Sequence, residues 1–300
     1  MKKRIIIAAG IALLAIAAFL LRPYYLNITF GISDFFRDRG LKTPEDIVRI
    51  DDQAYGSDPM QVFDVYYPVG TDHPLPTIVS IHGGGYTYGS KEVYQYYCMN
   101  LAERGFTVVN FSYRLAPKSK FPAQLEDTNR LMACICVRAE DYYVDPDNIF
   151  FVGDSAGAHL NAQYSAAVTN PAYADLLDLS IPAFTLRATA LNCGVYELKD
   201  FSSSQMKYFL ADGMEEEMDI VGHITSDFPP AFVMSATGDG CLPYAEPMYE
   251  LLTARGVNSE LHIYGDEQEK PPHVFHVNIK SEVATVCNDE ECAFFRERIE

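Results

Sequence analysis

The sequence predicts an α/β fold: a mostly parallel central sheet with helices on both faces and a small helical cap. Three observations carry this. Short apolar runs of strand length recur along the chain, segments with helical spacing separate them, and one late stretch has no strand pattern. Runs that are apolar on both faces suit parallel strands covered by helices on each side, because neither face then meets water.

The elements follow in order. Residues 28–54 mix amphipathic stretches (FFRDRG, PEDIVRI) with turn residues, which predicts short helices ahead of the sheet. VFDVYYP (62–68) alternates and is aromatic, and TIVSI (77–81) and TVVNFSY (107–113) are further apolar runs; each predicts a strand. Residues 123–140 have helical spacing, with Pro122 near the first position, where a missing N–H costs little. IFFVG (149–153) predicts a buried strand, and AGAHLNAQYSAAV after Ser155 a helix of small residues. ATALN (188–192) and AFVMSA (231–236) predict two more strands, MYELLTARG (248–256) a helix stopped by glycine, and ELHIY (260–264) the last strand. Residues 197–228, containing FLADGMEEEMDIVGHI, interrupt the alternation and predict a helical insertion. Ligands bind beyond the carboxyl ends of strands in such sheets, so this insertion and the stretch at about 28–55 are the expected cap elements of a domain spanning 28–300.

The first 27 residues differ from the rest. Lys2, Lys3 and Arg4 precede an apolar or small run over 5–21, closed by Arg22 and Pro23. This run is at the short edge of the roughly 17 to 25 residues that span a bilayer and long for a cleaved signal. The expectation is an uncleaved membrane anchor with the catalytic domain outside the cytoplasm. Cleavage after Ala17, giving a secreted protein, is the alternative.

A net charge of -18 excludes polyanions such as nucleic acid as natural partners, since like charges repel at the surface. The seven cysteines are odd in number and scattered, unlike the framework of a disulfide-stapled domain. Cys134 and Cys136 lie two apart on a predicted helix and so diverge; no metal and no cofactor is expected. Cys287 and Cys292 are a possible bridge in an oxidising compartment.

The chemistry concentrates at Gly153, Asp154, Ser155, Ala156 and Gly157, a G-x-S-x-G sequence between a buried strand and a helix of small residues. A serine on so tight a turn takes strained angles, and the residues two before and two after it must be tiny. The helix that follows directs its positive end at a developing oxyanion. Upstream, His82, Gly83, Gly84, Gly85 and Tyr86 follow the strand TIVSI. Consecutive glycines leave backbone N–H groups open to a substrate carbonyl oxygen, and no Lys-Ser or Lys-Thr follows as a phosphate loop requires. Gly83, Gly84 and Ala156 are the expected oxyanion hole.

A serine nucleophile needs a base, and the base an orienting carboxylate. Of seven histidines, His273 and His276 in PPHVFH follow the last strand and return to the carboxyl edge of the sheet. His273 is preferred, because Pro271 and Pro272 fix the entering chain and Phe275 is placed to pack beneath the imidazole. Asp239 stands just past the strand AFVMSA, where an acid faces that imidazole, in the order Ser, Asp, His. Glu246 falls in or near the next helix, and Asp266 and Glu267 suit a solvated loop.

HGGGY (82–86), SYRLAP (112–117), FPAQLED (121–127), GDSAG (153–157) and HVF (273–275), taken in order, resemble the hormone-sensitive-lipase-like branch of the α/β hydrolases. The resemblance implies an α/β-hydrolase fold, a Ser-Asp-His triad, an HGGG oxyanion hole, a helical cap, and hydrolysis of small-molecule carboxylic esters with short to medium acyl chains. An anchor ahead of such a domain is similar to the membrane-bound arylacetamide-deacetylase relatives. The chain departs from the pattern at Ser112 for the usual Asp, at Val274 for the usual Gly, and at Gly240–Cys241–Leu242 for the usual Pro-Leu after the acid. An amide hydrolase with the same triad is the rival enzyme, and an inactive hydrolase-like binding protein the rival of another class.

Overall fold

A computed structural model describes residues 25–300. Residues 41–300 form one compact unit, and helix α1 (Tyr25–Asp38) belongs to a separate unit that ends at Gly40. Within α1, Arg37 bonds Asp34 and Asp38.

The larger unit is built on eight strands: β1 (Ile47–Ala54), β2 (Val62–Pro68), β3 (Leu75–Ile81), β4 (Thr107–Phe111), β5 (Val144–Asp154), β6 (Leu186–Asn192), β7 (Ala231–Ala236) and β8 (Ser259–Tyr264). They lie in the order β1-β2-β4-β3-β5-β6-β7-β8. β1 and β2 pair antiparallel, as do β2 and β4, and every later neighbour is parallel. Alternate residues serve opposite faces. Val79, Val109, Phe151 and Val233 enter one core, while Ile78, Val108, Phe150 and Phe232 enter the other. Helices α2 (Lys91–Ala102) and α9 (Glu282–Arg296) contribute to the second core. Helices α3 (Ala123–Val137), α4 (Ala156–Thr169) and α8 (Leu242–Ala254) contribute to the first.

The expected strands are present, several of them longer than their apolar runs, while β4 stops at Phe111, short of the expected 113. The insertion contains no strand; it holds a short 3-10 turn (Leu198–Asp200) and the short helices α6 (Ser203–Phe209) and α7 (Glu215–Met218), after α5 (Pro171–Leu176) upstream. Elsewhere the expectation is corrected. Residues 28–54 are not simply a helical segment, because IVRIDDQA forms the edge strand β1, whose exposed face carries charge and hides its period. α8 begins at Leu242, before the expected 248, because Pro243 stands in the first turn, where its missing N–H is no loss.

The membrane placement is also corrected. The expected anchor over 5–21 lies outside the described residues, and among the described residues no helix is long and apolar enough to cross a membrane. Cys287 and Cys292 are free buried thiols, so the possible bridge is not formed.

Candidate active site

Ser155 sits at the junction of β5 and α4 with φ 54 and ψ -119, a backbone region that L-residues rarely adopt. The two flanking glycines make the turn possible. A Cβ on Gly153 would meet the Gly157 carbonyl oxygen at 2.4 Å, and one on Gly157 would meet the Ile81 oxygen at 2.1 Å. Small residues let α4 lie against the sheet, and the helix is buried from Ala156 to Ala167. The Ser155 N–H is tied to the Asn192 carbonyl of β6 at 2.9 Å.

Asp239 and His273 meet Ser155 from two later loops. His273 Nδ1 is 2.7 Å from Asp239 Oδ1, and Nε2 is 3.0 Å from Ser155 Oγ. With Nδ1–H donating to the carboxylate, Nε2 is left to accept the serine hydroxyl proton. Asp239 is held further by the Cys241 N–H on Oδ1 at 2.8 Å and the Ser235 hydroxyl on Oδ2 at 2.9 Å. Burial alone would raise the Asp239 pKa. The hydrogen bond and charge of His273, with the Cys193 thiol and Cys241 N–H, outweigh it and hold the carboxyl below its usual range. Cys193 Sγ lies with the Asp239 and His273 atoms inside a 4.8 Å cluster, a donor set that resembles a metal site; here Asp239 and His273 bond each other.

The remaining histidines are engaged elsewhere. His82 stacks on Tyr113 at 4.0 Å and is held neutral by burial, its pKa lowered to about 4. His159 bonds Tyr86 at 2.7 Å and is lowered to about 3, again by burial. His276 is buried edge-on to Tyr97. Phe275 packs on Tyr264 and His276, so its expected place beneath His273 is corrected. Glu246, Asp266 and Glu267 are exposed.

The glycine loop brings a second correction. Gly83 N–H donates to Tyr94 Oη at 3.1 Å, and Tyr94 donates in turn to Asp154 Oδ2 at 2.7 Å. Gly83 is therefore a strut of the loop, with its donor already spent. Gly84 and Gly85 both have positive φ (113 and 59), and a Cβ on Gly84 would meet the Tyr88 oxygen at 2.2 Å. Among the described residues, the N–H groups of Gly84, Gly85 and Ala156 have no hydrogen-bond partner. A cavity of about 350 Å³ is lined by Tyr196, Val221, Tyr244, Met248 and Leu251 together with the charged Glu197, Lys199 and Asp200.

A family model described as BD-FAE matches residues 63–249, more than half of the chain. The chain belongs to this family. The chain is 30% identical over 253 residues to carboxylesterase NlhH of Mycobacterium tuberculosis strain H37Rv, covering 75% of this chain and 77% of that one. It is 27% identical over 210 residues to an acetyl esterase of Salmonella choleraesuis, covering 63% and 62%. Its fold matches esterase B of Lactobacillus rhamnosis, solved with a tributyrin phosphonate inhibitor, at a TM-score of 0.87 and 23% identity over 94% of this chain and 95% of that one. A bacterial heroin esterase matches at a TM-score of 0.73 and 21% identity, over 91% and 90%. Together these make the esterase a carboxylic-ester hydrolase of the α/β-hydrolase fold, in the hormone-sensitive-lipase-like branch its motifs resemble.

Some residues of the esterase's site escaped the sequence. Ser235 is a lone hydroxyl in the apolar run AFVMSA, four residues before Asp239, and that spacing was the available signal. Tyr94 and Cys193 gave none, because each acts on a partner distant in the chain.

Proposed function

We propose that the esterase works through an acyl-enzyme formed on Ser155. His273 Nε2 takes the Ser155 Oγ proton as Oγ attacks the ester carbonyl, and the C=O electron pair moves onto the oxygen. Gly84, Gly85 and Ala156 supply the N–H groups that receive this oxyanion, in place of the expected set of Gly83, Gly84 and Ala156. The positive end of α4 adds to that stabilisation. As the tetrahedral species collapses, the C–O bond to the alcohol breaks and His273 returns the proton to the leaving alkoxide. Water then attacks the acyl carbonyl as His273 takes its proton, the acyl–Oγ bond breaks to release the acid, the proton passes to Ser155 Oγ, and Asp239 holds the imidazole throughout. The observation that carries this reading is the continuous hydrogen-bonded path from Ser155 Oγ through His273 to Asp239.

Esters of short to medium acyl chains are the proposed substrates, one arm of the ester lying against the apolar wall that Tyr244, Met248 and Leu251 give to the cavity, whose other side carries Glu197, Lys199 and Asp200. The segment 197–228 is the proposed cap.

The test is labelling by a fluorophosphonate probe, followed by turnover of matched nitrophenyl esters and anilides. Wild-type protein is expected to be labelled at Ser155 and to prefer the ester, and Ser155→Ala to lose both label and turnover. Label retained at another serine overturns the assignment. Faster turnover of the anilide makes the enzyme an amidase.

A further inference from the structure

Glu291, on α9, is fully buried and takes no part in the proposed chemistry. Its Oε2 accepts the Asn192 side-chain N–H at 2.7 Å, and its Oε1 accepts the Tyr97 hydroxyl at 3.1 Å. Both donors are neutral. A carboxyl group buried in this way is costly to desolvate, and two neutral donors offset less of that cost than a cation would. Burial also pushes its pKa up to about 7, against the bonds from Asn192 and Tyr97 that favour the carboxylate.

What these two bonds reach explains the placement. Asn192 closes β6 directly beside Asp154, and its main-chain carbonyl holds the Ser155 N–H. Tyr97 lies one turn beyond Tyr94 on α2, and Tyr94 links Gly83 of the glycine loop to Asp154. A single carboxylate thus joins the strand that grips the serine turn to the helix that braces the glycine loop. The strained Ser155 backbone persists because its surroundings over-determine it.

We infer that Glu291 is a positioning residue for the nucleophile, acting through Asn192 on the Ser155 turn and through Tyr97 on the helix behind the oxyanion loop. This inference rests on the proposed role of Ser155.

The experiment compares wild type with Glu291→Met and Glu291→Gln. It measures the fluorophosphonate labelling rate, kcat and KM on nitrophenyl butyrate, melting temperature, and amide hydrogen exchange in the peptide carrying Ser155. Glu291→Met is expected to lower kcat and labelling rate about tenfold, since small misplacements of a reacting group are costly. KM stays within about twofold, because ground-state binding is untouched. The melting temperature falls, because the buried Asn192 amide and Tyr97 hydroxyl are left without their acceptor, and exchange at the Ser155 turn accelerates. Glu291→Gln keeps an acceptor for Asn192 and loses about threefold in the same quantities.

Wild-type labelling and exchange in a folded Glu291→Met protein overturn the assignment. If that variant does not fold, wild-type values in Glu291→Gln overturn it instead. Failure of the wild-type enzyme to label at Ser155 would sink the triad reading, and the exchange measurement would still decide whether Glu291 positions the turn.

Discussion

At His273 two effects oppose each other. Burial disfavours the imidazolium, but the hydrogen bond to Asp239, the contact with Cys241 and the Asp239 charge outweigh it and raise the pKa from 6.5 to about 10. The base works in its neutral form, so kcat/KM for an ester is expected to rise with pH along a limb lying above 6.5. Asp239→Asn removes the charge that favours the imidazolium while the burial remains. The limb should therefore move to lower pH, and kcat should fall on the order of 10⁴-fold, the size of the same change in a serine-protease triad. A pH–rate profile of both proteins checks this, and an unmoved limb in the variant would remove Asp239 from its role. Val274, next to His273, holds a left-handed φ of 59 where the related pattern has glycine. The chain tolerates a β-branched residue in a strained position there.

Among the elements, the motifs SYRLAP and FPAQLED become one clamp. Buried Asp127 on α3 accepts the Arg114 N–H at 2.8 Å, its guanidinium at 2.7 Å and the Gln61 amide at 2.7 Å. Gln124 on the same helix donates to the Arg114 carbonyl at 2.8 Å. These residues tie the loop after β4 to the start of α3 and to the residue before β2, and they touch no reacting group. Asp127→Ala leaves Arg114 and Gln61 without their buried acceptor, so it should cost about 3 kcal/mol in urea denaturation. The KM of the folded fraction should stay at its wild-type value. A large change in KM with stability intact would instead place the clamp in substrate binding. The same scale explains β1 and α9, which the apolar pattern missed. β1 is a charged edge strand, and α9 buries Glu291 and Asn288 among its apolar residues, so both blur the period that marks an element.

For the whole molecule, the proposed chain-length preference is assigned to the cavity, whose walls come from distant stretches: the loop after β6, Val221 in the insertion and α8. Leu251→Phe fills part of it. Because each methylene in an apolar pocket is worth about 1 to 3 kcal/mol, the ratio of kcat/KM for octanoate over butyrate esters should fall at least about tenfold. A panel of nitrophenyl esters measures it, and an unchanged ratio would show that the acyl chain lies elsewhere. The net charge of -18 acts at this scale too, repelling polyanions whatever the site does.

The sequence by itself determined what local geometry controls. Strand and helix alternation follows from apolar period. The serine turn follows from the need for tiny residues at Gly153 and Gly157, and the order of Ser155, Asp239 and His273 from their places after strands. Tertiary structure alone decided which of these groups remain free to act. Gly83 loses its N–H to Tyr94, His159 is buried against Tyr86, and Asp239 gains Ser235 and Cys193 as neighbours. Glu291 reaches Ser155 through Asn192, from the far end of the chain. The reason is physical: a hydrogen bond or a buried charge takes its energy from partners that only folding brings within reach, and no local pattern records them.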